Sequence, residues 1–98
     1  HKGEKIEDEA LLKQAQLYTS LKNYAKAQLN YQKIITFYPN SILADDAHFA
    51  MAELYRTQFD NPEKAKEHYE QIIYNYQDSY YFPQARKNFR MLRGDALN

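Results

Sequence analysis

The chain contains no cysteine and no tryptophan, only two glycines and three prolines in 98 residues, and no excess of either charge, with 13 Lys+Arg against 13 Asp+Glu. Each shortage removes a class of reading. Without cysteine there is no disulfide, no thiolate nucleophile and no Cys-based zinc site, and such a chain suits the cytosol and the periplasm alike. A formal net charge of +0 argues against the broad basic footprint that neutralises nucleic-acid phosphates. No run of about 18 apolar residues occurs, which excludes a membrane-spanning helix, and the start His1-Lys2-Gly3-Glu4-Lys5 lacks the apolar core of a secretory leader. The absence of an initiating Met predicts an excised or processed piece, with His1 an expression remnant.

What the chain does hold is 44% hydrophobic residues, ten of them tyrosine, at a mean hydropathy of -0.87. That composition predicts one soluble domain, or the end of a longer one. Self-similarity organises it. The segment Tyr31-Gln32-Lys33-Ile34-Ile35-Thr36-Phe37-Tyr38-Pro39-Asn40-Ser41 recurs as Tyr69-Glu70-Gln71-Ile72-Ile73-Tyr74-Asn75-Tyr76-Gln77-Asp78-Ser79, an offset of 38 from Tyr31 to Tyr69. Upstream, Ala15-Gln16-Leu17-Tyr18 returns as Ala52-Glu53-Leu54-Tyr55 at an offset of 37, so one extra residue falls between Thr57 and Pro62, where a loop absorbs it.

The apolar spacing within each unit is helical, not alternating. Leu11, Ala15, Leu17, Tyr18 and Leu21 form one stripe, and Ala27, Tyr31, Ile34, Ile35 and Tyr38 another. Ala44, Ala47, Met51, Leu54 and Tyr55 follow, then Ala65, Tyr69, Ile72, Ile73 and Tyr76, and last Phe82, Ala85, Phe89 and Leu92. Asn61-Pro62-Glu63 supplies a capping side chain, a proline where its missing N–H costs nothing, and an acid at the positive end of the helix dipole. Ser41 and Ser79 are expected caps, Pro83 falls in a first turn, and Gly94 is the expected stop. Five helices are therefore predicted at roughly 6–21, 24–38, 42–58, 62–76 and 80–93, with short connections that make neighbours antiparallel.

These residues resemble the tetratricopeptide repeat family, whose unit is a helix pair of about 34 residues with small and aromatic residues at fixed places. Ala15, Tyr18, Tyr24, Ala27, Tyr31, Ile34 and Pro39 occupy those places in the first unit, and Ala52, Tyr55, Ala65, Tyr69 and Ile72 in the second, where Gln77 replaces the proline. The resemblance implies an all-α, right-handed helical-repeat solenoid of two antiparallel helix hairpins plus a C-terminal capping helix. Residues 1–5 are read as a flexible N-terminal segment or expression remnant. Residues 7–41 and 42–79 form the repeats of a domain spanning 6–93, with the capping helix at 80–93 and a tail at 94–98. The longer period and the phrasing Tyr38-Pro39-Asn40-Ser41 before Ala44-Asp45-Asp46-Ala47 resemble the bacterial cell-envelope branch, with the Tol-Pal coordinator and the outer-membrane assembly lipoproteins. That likeness favours the periplasm or cell envelope over the cytoplasm.

In the family the first helix of each pair lines a concave groove that takes an extended peptide or a partner helix. Carried over, the groove comprises Glu9, Leu12, Lys13 and Gln16, then Asp46, Phe49, Glu53 and Arg56, and from the closing helix Lys87, Asn88 and Met91. Gln16 and Glu53 stand where a carboxylate clamp needs asparagine, while Leu12 and Phe49 suit a segment with apolar side chains and some positive charge.

Nothing assembles a nucleophile with a base, so no enzyme, catalytic residue, cofactor or metal site is expected. His48 and His68 lack the spacing of zinc ligands and read as surface or partly packed residues. Asp45 and Asp46 point about 100° apart and suit the helix dipole better than a shared proton. Tyr74, Tyr80 and Tyr81 are less constrained by the repeat pattern and serve either as exposed contacts or as inter-helix packing. From Tyr80 onward, Arg86, Lys87, Arg90 and Arg93 face only Asp95, so the last helix is basic, as a solubility cap or as a patch for an acidic partner or anionic surface. The leading expectation is a non-catalytic module for a protein or peptide partner, with no nucleic acid and no membrane insertion. Its rival is a structural element making homotypic contacts, as the terminal part of a longer array with further repeats upstream or as a homo-oligomer. A double change, Phe49→Ala with Glu53→Lys, is predicted to abolish partner capture without altering thermal unfolding.

Overall fold

The computed structural model describes residues 4–94. They form five helices, α1 (Glu4–Ser20), α2 (Tyr24–Phe37), α3 (Ala44–Thr57), α4 (Pro62–Asn75) and α5 (Phe82–Arg93), with no strand among the described residues. The all-α helical-repeat fold is as expected. Residues 1–3 and 95–98, which hold most of the expected end segments, lie outside the described residues.

Side-chain chemistry fixes the helix ends. Asn61 Oδ1 accepts from the Lys64 backbone N–H at 3.2 Å, and its counterpart Asn23 does the same for Lys26 at 3.4 Å. Each satisfies one donor that helix geometry leaves orphaned. α5 stops at Gly94, whose φ of 91° lies where a side chain is disfavoured. Ser41 and Ser79 act earlier than expected. Their hydroxyls accept from the N–H two residues on, Leu43 at 3.0 Å and Tyr81 at 2.9 Å, and so close a turn before the helix. Backbone bonds from Ala44 to Ser41 and from Phe82 to Ser79 complete each corner, which is why α3 and α5 begin two residues after the expected positions.

The extra residue lies where the two offsets put it. In the first hairpin Asn23 N–H reaches Tyr18 C=O at 2.8 Å; in the second, Asn61 N–H reaches Tyr55 C=O at 2.8 Å across a turn one residue longer. Lys22 and Asp60, with φ of 63° and 50°, make the reversal in each.

The chain divides into two compact units, His1–Ala47 and His48–Asn98. In the first, α1 packs on α2, and Ala15, Ala27, Tyr31 and Ile34 are buried. In the second, Ala52, Ala65, Tyr69, Ile72 and Ala85 form a core flanked by Phe49, Tyr55, Tyr76, Tyr81, Phe89 and Leu92. Fully buried Ala27 and Ala65 let the paired helices approach closely, and the tyrosines beside them fill the space. Leu17 and Leu21 depart from the expected stripe and are 56% and 66% exposed. Leu17 lies two residues, about 200° of helix rotation, beyond buried Ala15.

Candidate interaction site

The expected groove residues fall into two kinds. Lys13, Gln16, Lys87 and Met91 are exposed, and Leu12, Asp46 and Phe49 are half-buried. Glu53, Arg56 and Asn88 instead hold one another around the hydroxyl of Tyr69. Arg56 Nη2 donates to Glu53 Oε1 at 2.5 Å and Arg56 Nε donates to the Tyr69 oxygen at 3.1 Å. The Tyr69 hydroxyl donates to Glu53 Oε2 in a short bond. Asn88 Nδ2 donates to both Glu53 Oε2 and the Tyr69 oxygen, each at 3.2 Å, and Asn88 Oδ1 accepts from Gln84 Nε2 at 2.9 Å. Three helices of the second unit are thus tied by one polar cluster.

The electrostatics follow from the geometry. Burial, then the Glu53 carboxylate, pushes the Tyr69 phenol up to about 12, and hydrogen bonds to Glu53 and Tyr69 raise Arg56. Tyr69 remains a neutral donor across the physiological range. The pair Glu53–Arg56 keeps about a third of its side-chain surface in water. It is a fixed polar feature on an otherwise mobile kind of surface, because a network holds long side chains in one rotamer before anything binds.

Phe49 also has an internal role, stacking on Tyr81 with ring centroids 4.6 Å apart and meeting Tyr69 edge-on. The expectation that Phe49→Ala with Glu53→Lys spares folding is therefore corrected: that change removes core packing, leaves the Tyr69 hydroxyl without its acceptor and takes one of two acceptors from Asn88 Nδ2. Of the tyrosines less constrained by the pattern, Tyr74 and Tyr80 are exposed, whereas Tyr81 is packed.

His68 is partly packed, as expected, but His48 is buried, and their meeting was not foreseen. Their Nδ1 atoms lie 3.0 Å apart, His68 stacks on Tyr55, and His48 touches Tyr76. One ring carries a proton on Nδ1 and the other presents a lone pair. Burial and the neighbouring imidazole push His48 down to about 4, and burial lowers His68. No group of three or more potential metal ligands clusters among the described residues, nor is any helix there long and apolar enough to cross a membrane.

Asp8, Asn30 and Gln84, and the bond of Ser41 to Asp8, were not expected from the sequence. Asn30 is buried and donates to Gln14 Oε1 at 2.7 Å and to Leu11 C=O at 3.4 Å, bracing α2 on α1. Its place matches that of His68, an offset the repeat alignment already contained.

Helix pairs that recur with the same alanines, tyrosines and capping asparagines define a helical-repeat protein. The family model for the tetratricopeptide repeat matches residues 9–41 and 46–79, and the chain belongs to that family. Its members are generally non-catalytic protein–protein interaction modules. No curated protein and no solved structure matches the chain.

Proposed function

We propose that the chain is a non-catalytic module that binds a peptide or partner segment along the first helices of its repeats. The observation that carries this is the Glu53–Arg56–Tyr69–Asn88 cluster, a preset and partly exposed polar feature with Lys87 and Met91 exposed on α5 beside Asn88. Lys87 and Met91 are four residues apart and share a face. Together they offer a charge and an apolar contact at little ordering cost. Leu12, Lys13 and Gln16 on α1 are proposed as the corresponding contacts of the first repeat, and Asp46 and Phe49 on α3 as further contacts of the second.

Selection of peptides from a displayed library on the immobilised chain tests this. Lys87→Glu with Met91→Ala touches only exposed side chains, so it should weaken selected peptides roughly tenfold or more while unfolding stays unchanged. Undiminished binding removes the reading.

A homotypic contact is the second reading, favoured by exposed Leu17 on α1 and exposed Leu21 in the turn just after it. Sedimentation over a hundredfold concentration range separates it, since a strict monomer counts against self-association. The corner sequence Tyr38-Pro39-Asn40-Ser41 supports membership of the bacterial envelope branch, and with it a periplasmic or envelope location.

A further inference from the structure

The first unit contains a half-open cleft of about 430 Å³ between the start of α1 and the corner that joins α2 to α3. Its size is within the range of ligand sites. Two acids, Asp8 and Glu9, line it and no base does among the described residues, while Phe37, Pro39 and Ile42 supply apolar wall. Phe37 and Ile42 are 69% and 85% exposed, so the apolar surface continues onto the rim.

Asp8 is the telling residue. It is only 5% exposed, and its Oδ2 accepts from the Ser41 hydroxyl at 2.6 Å. Its Oδ1 is buried with no hydrogen-bond partner among the described residues. A buried carboxylate oxygen without a donor costs free energy that a ligand N–H recovers on binding, and a charged donor recovers most. Ser41 is itself held by the corner's backbone bonds, so the carboxylate is fixed in place before a ligand arrives.

We propose that this cleft is a docking site for a peptide segment in which a lysine or arginine is flanked by an apolar side chain. The cation bonds Asp8 at the floor with Glu9 adding a second negative charge, and the apolar neighbour lies on Pro39, Phe37 and Ile42. Charge complementarity selects a cationic occupant, and the exposed rim on either side of the floor suits an extended chain better than a lone amine. The site shares no residue with the surface proposed above, and it stands if that surface binds nothing.

Amide NMR titration of the full chain with acetyl-Leu-Arg-Leu amide tests it, with acetyl-Leu-Gln-Leu amide as the neutral control. Saturable shifts at Asp8, Ser41 and Ile42 are expected, with the neutral peptide roughly tenfold weaker or worse. Asp8→Asn should weaken the cationic peptide to the same degree. Because Asp8→Asn also touches Ser41, the exposed change Ile42→Ser provides an independent arm and should weaken both peptides several-fold. Equal affinity for the two peptides, indifference to both substitutions, or shifts confined to other residues overturns the proposal. So do shifts at these amides that track protein concentration alone, which place a second copy in the cleft.

Discussion

At matched positions the two repeats surround the same buried tyrosine with different polar partners. Tyr31 faces Thr19 in the first, and Gln16 stands where the second repeat has Glu53; Tyr69 in the second is bonded by Glu53, Arg56 and Asn88. Burial raises both phenols, but Thr19 offsets the rise at Tyr31, whereas the Glu53 carboxylate adds to it at Tyr69. The second contrast is between Leu11 with Asn30 and their counterparts His48 with His68. In each case the apolar shape is kept and the polar fittings differ. Shape is what antiparallel packing demands, since a methylene too many or too few in a close-packed interior is felt directly. The polar fittings are where one repeat acquires chemistry that the other lacks.

The largest effect expected from breaking this contrast is pH dependence. His48 and His68 have folded pKa values below the unfolded value near 6.5, so the unfolded chain takes up protons first. The stability they contribute is complete above pH 6.5 and is lost as pH falls toward about 4 for His48. His48→Leu with His68→Asn gives the second repeat the residues of the first. Thermal melts of this variant should lose much less stability across that window than those of the parent. An unchanged slope would show that the pair carries none of the acid sensitivity.

Next in size is deletion of the two hydroxyls. Tyr69→Phe strips Glu53, Arg56 and Asn88 of a shared partner and should cost about 1–3 kcal/mol in urea unfolding. Tyr31→Phe should cost under about 1 kcal/mol, because Thr19 keeps its own bond to Ala15 C=O at 2.9 Å. Equal costs would mean that the cluster around Tyr69 adds nothing beyond packing.

The smallest effect is expected from Glu53→Gln with Arg56→Thr, which copies Gln16 and Thr19. Removing both partners of a partly exposed ion pair together should change stability by about 1 kcal/mol or less. Glu53→Gln alone should cost more, as it leaves Arg56 without its carboxylate. A double change that costs more than the single one would refute the compensation.

Much of the fold was legible because it rests on local and periodic signals. Pro62 and Asn61 marked α4, Gly94 marked the end of α5, and the 37 and 38 offsets located the longer turn. The starts of α3 and α5 were misplaced because a serine hydroxyl satisfies either a helix N–H or a turn N–H, and the sequence does not distinguish them. Asn23 caps α2 as Asn61 caps α4, but Tyr24 stands where Pro62 follows Asn61, so no proline marks that helix start in the sequence. The site was less legible. Glu53 and Asn88 lie 35 residues apart, and nothing local announces that they share a tyrosine hydroxyl. The groove assignment selected those residues by position, but position does not reveal which side chains spend their hydrogen bonds internally. His48 and His68, and Asp8 and Ser41, were hidden for the same reason.

The corners after α2 and α4 have one further consequence. The backbone bonds that turn them, and the serine hydroxyls that accept from Leu43 and Tyr81, run within residues 38–44 and 76–82, and the second keeps these bonds although Gln77 replaces Pro39. Such a joint is portable. A tandem duplication of residues 42–79 would place residues 76–79 directly before a second copy of residues 42–44, so the new junction would be built from residues that already form such a joint.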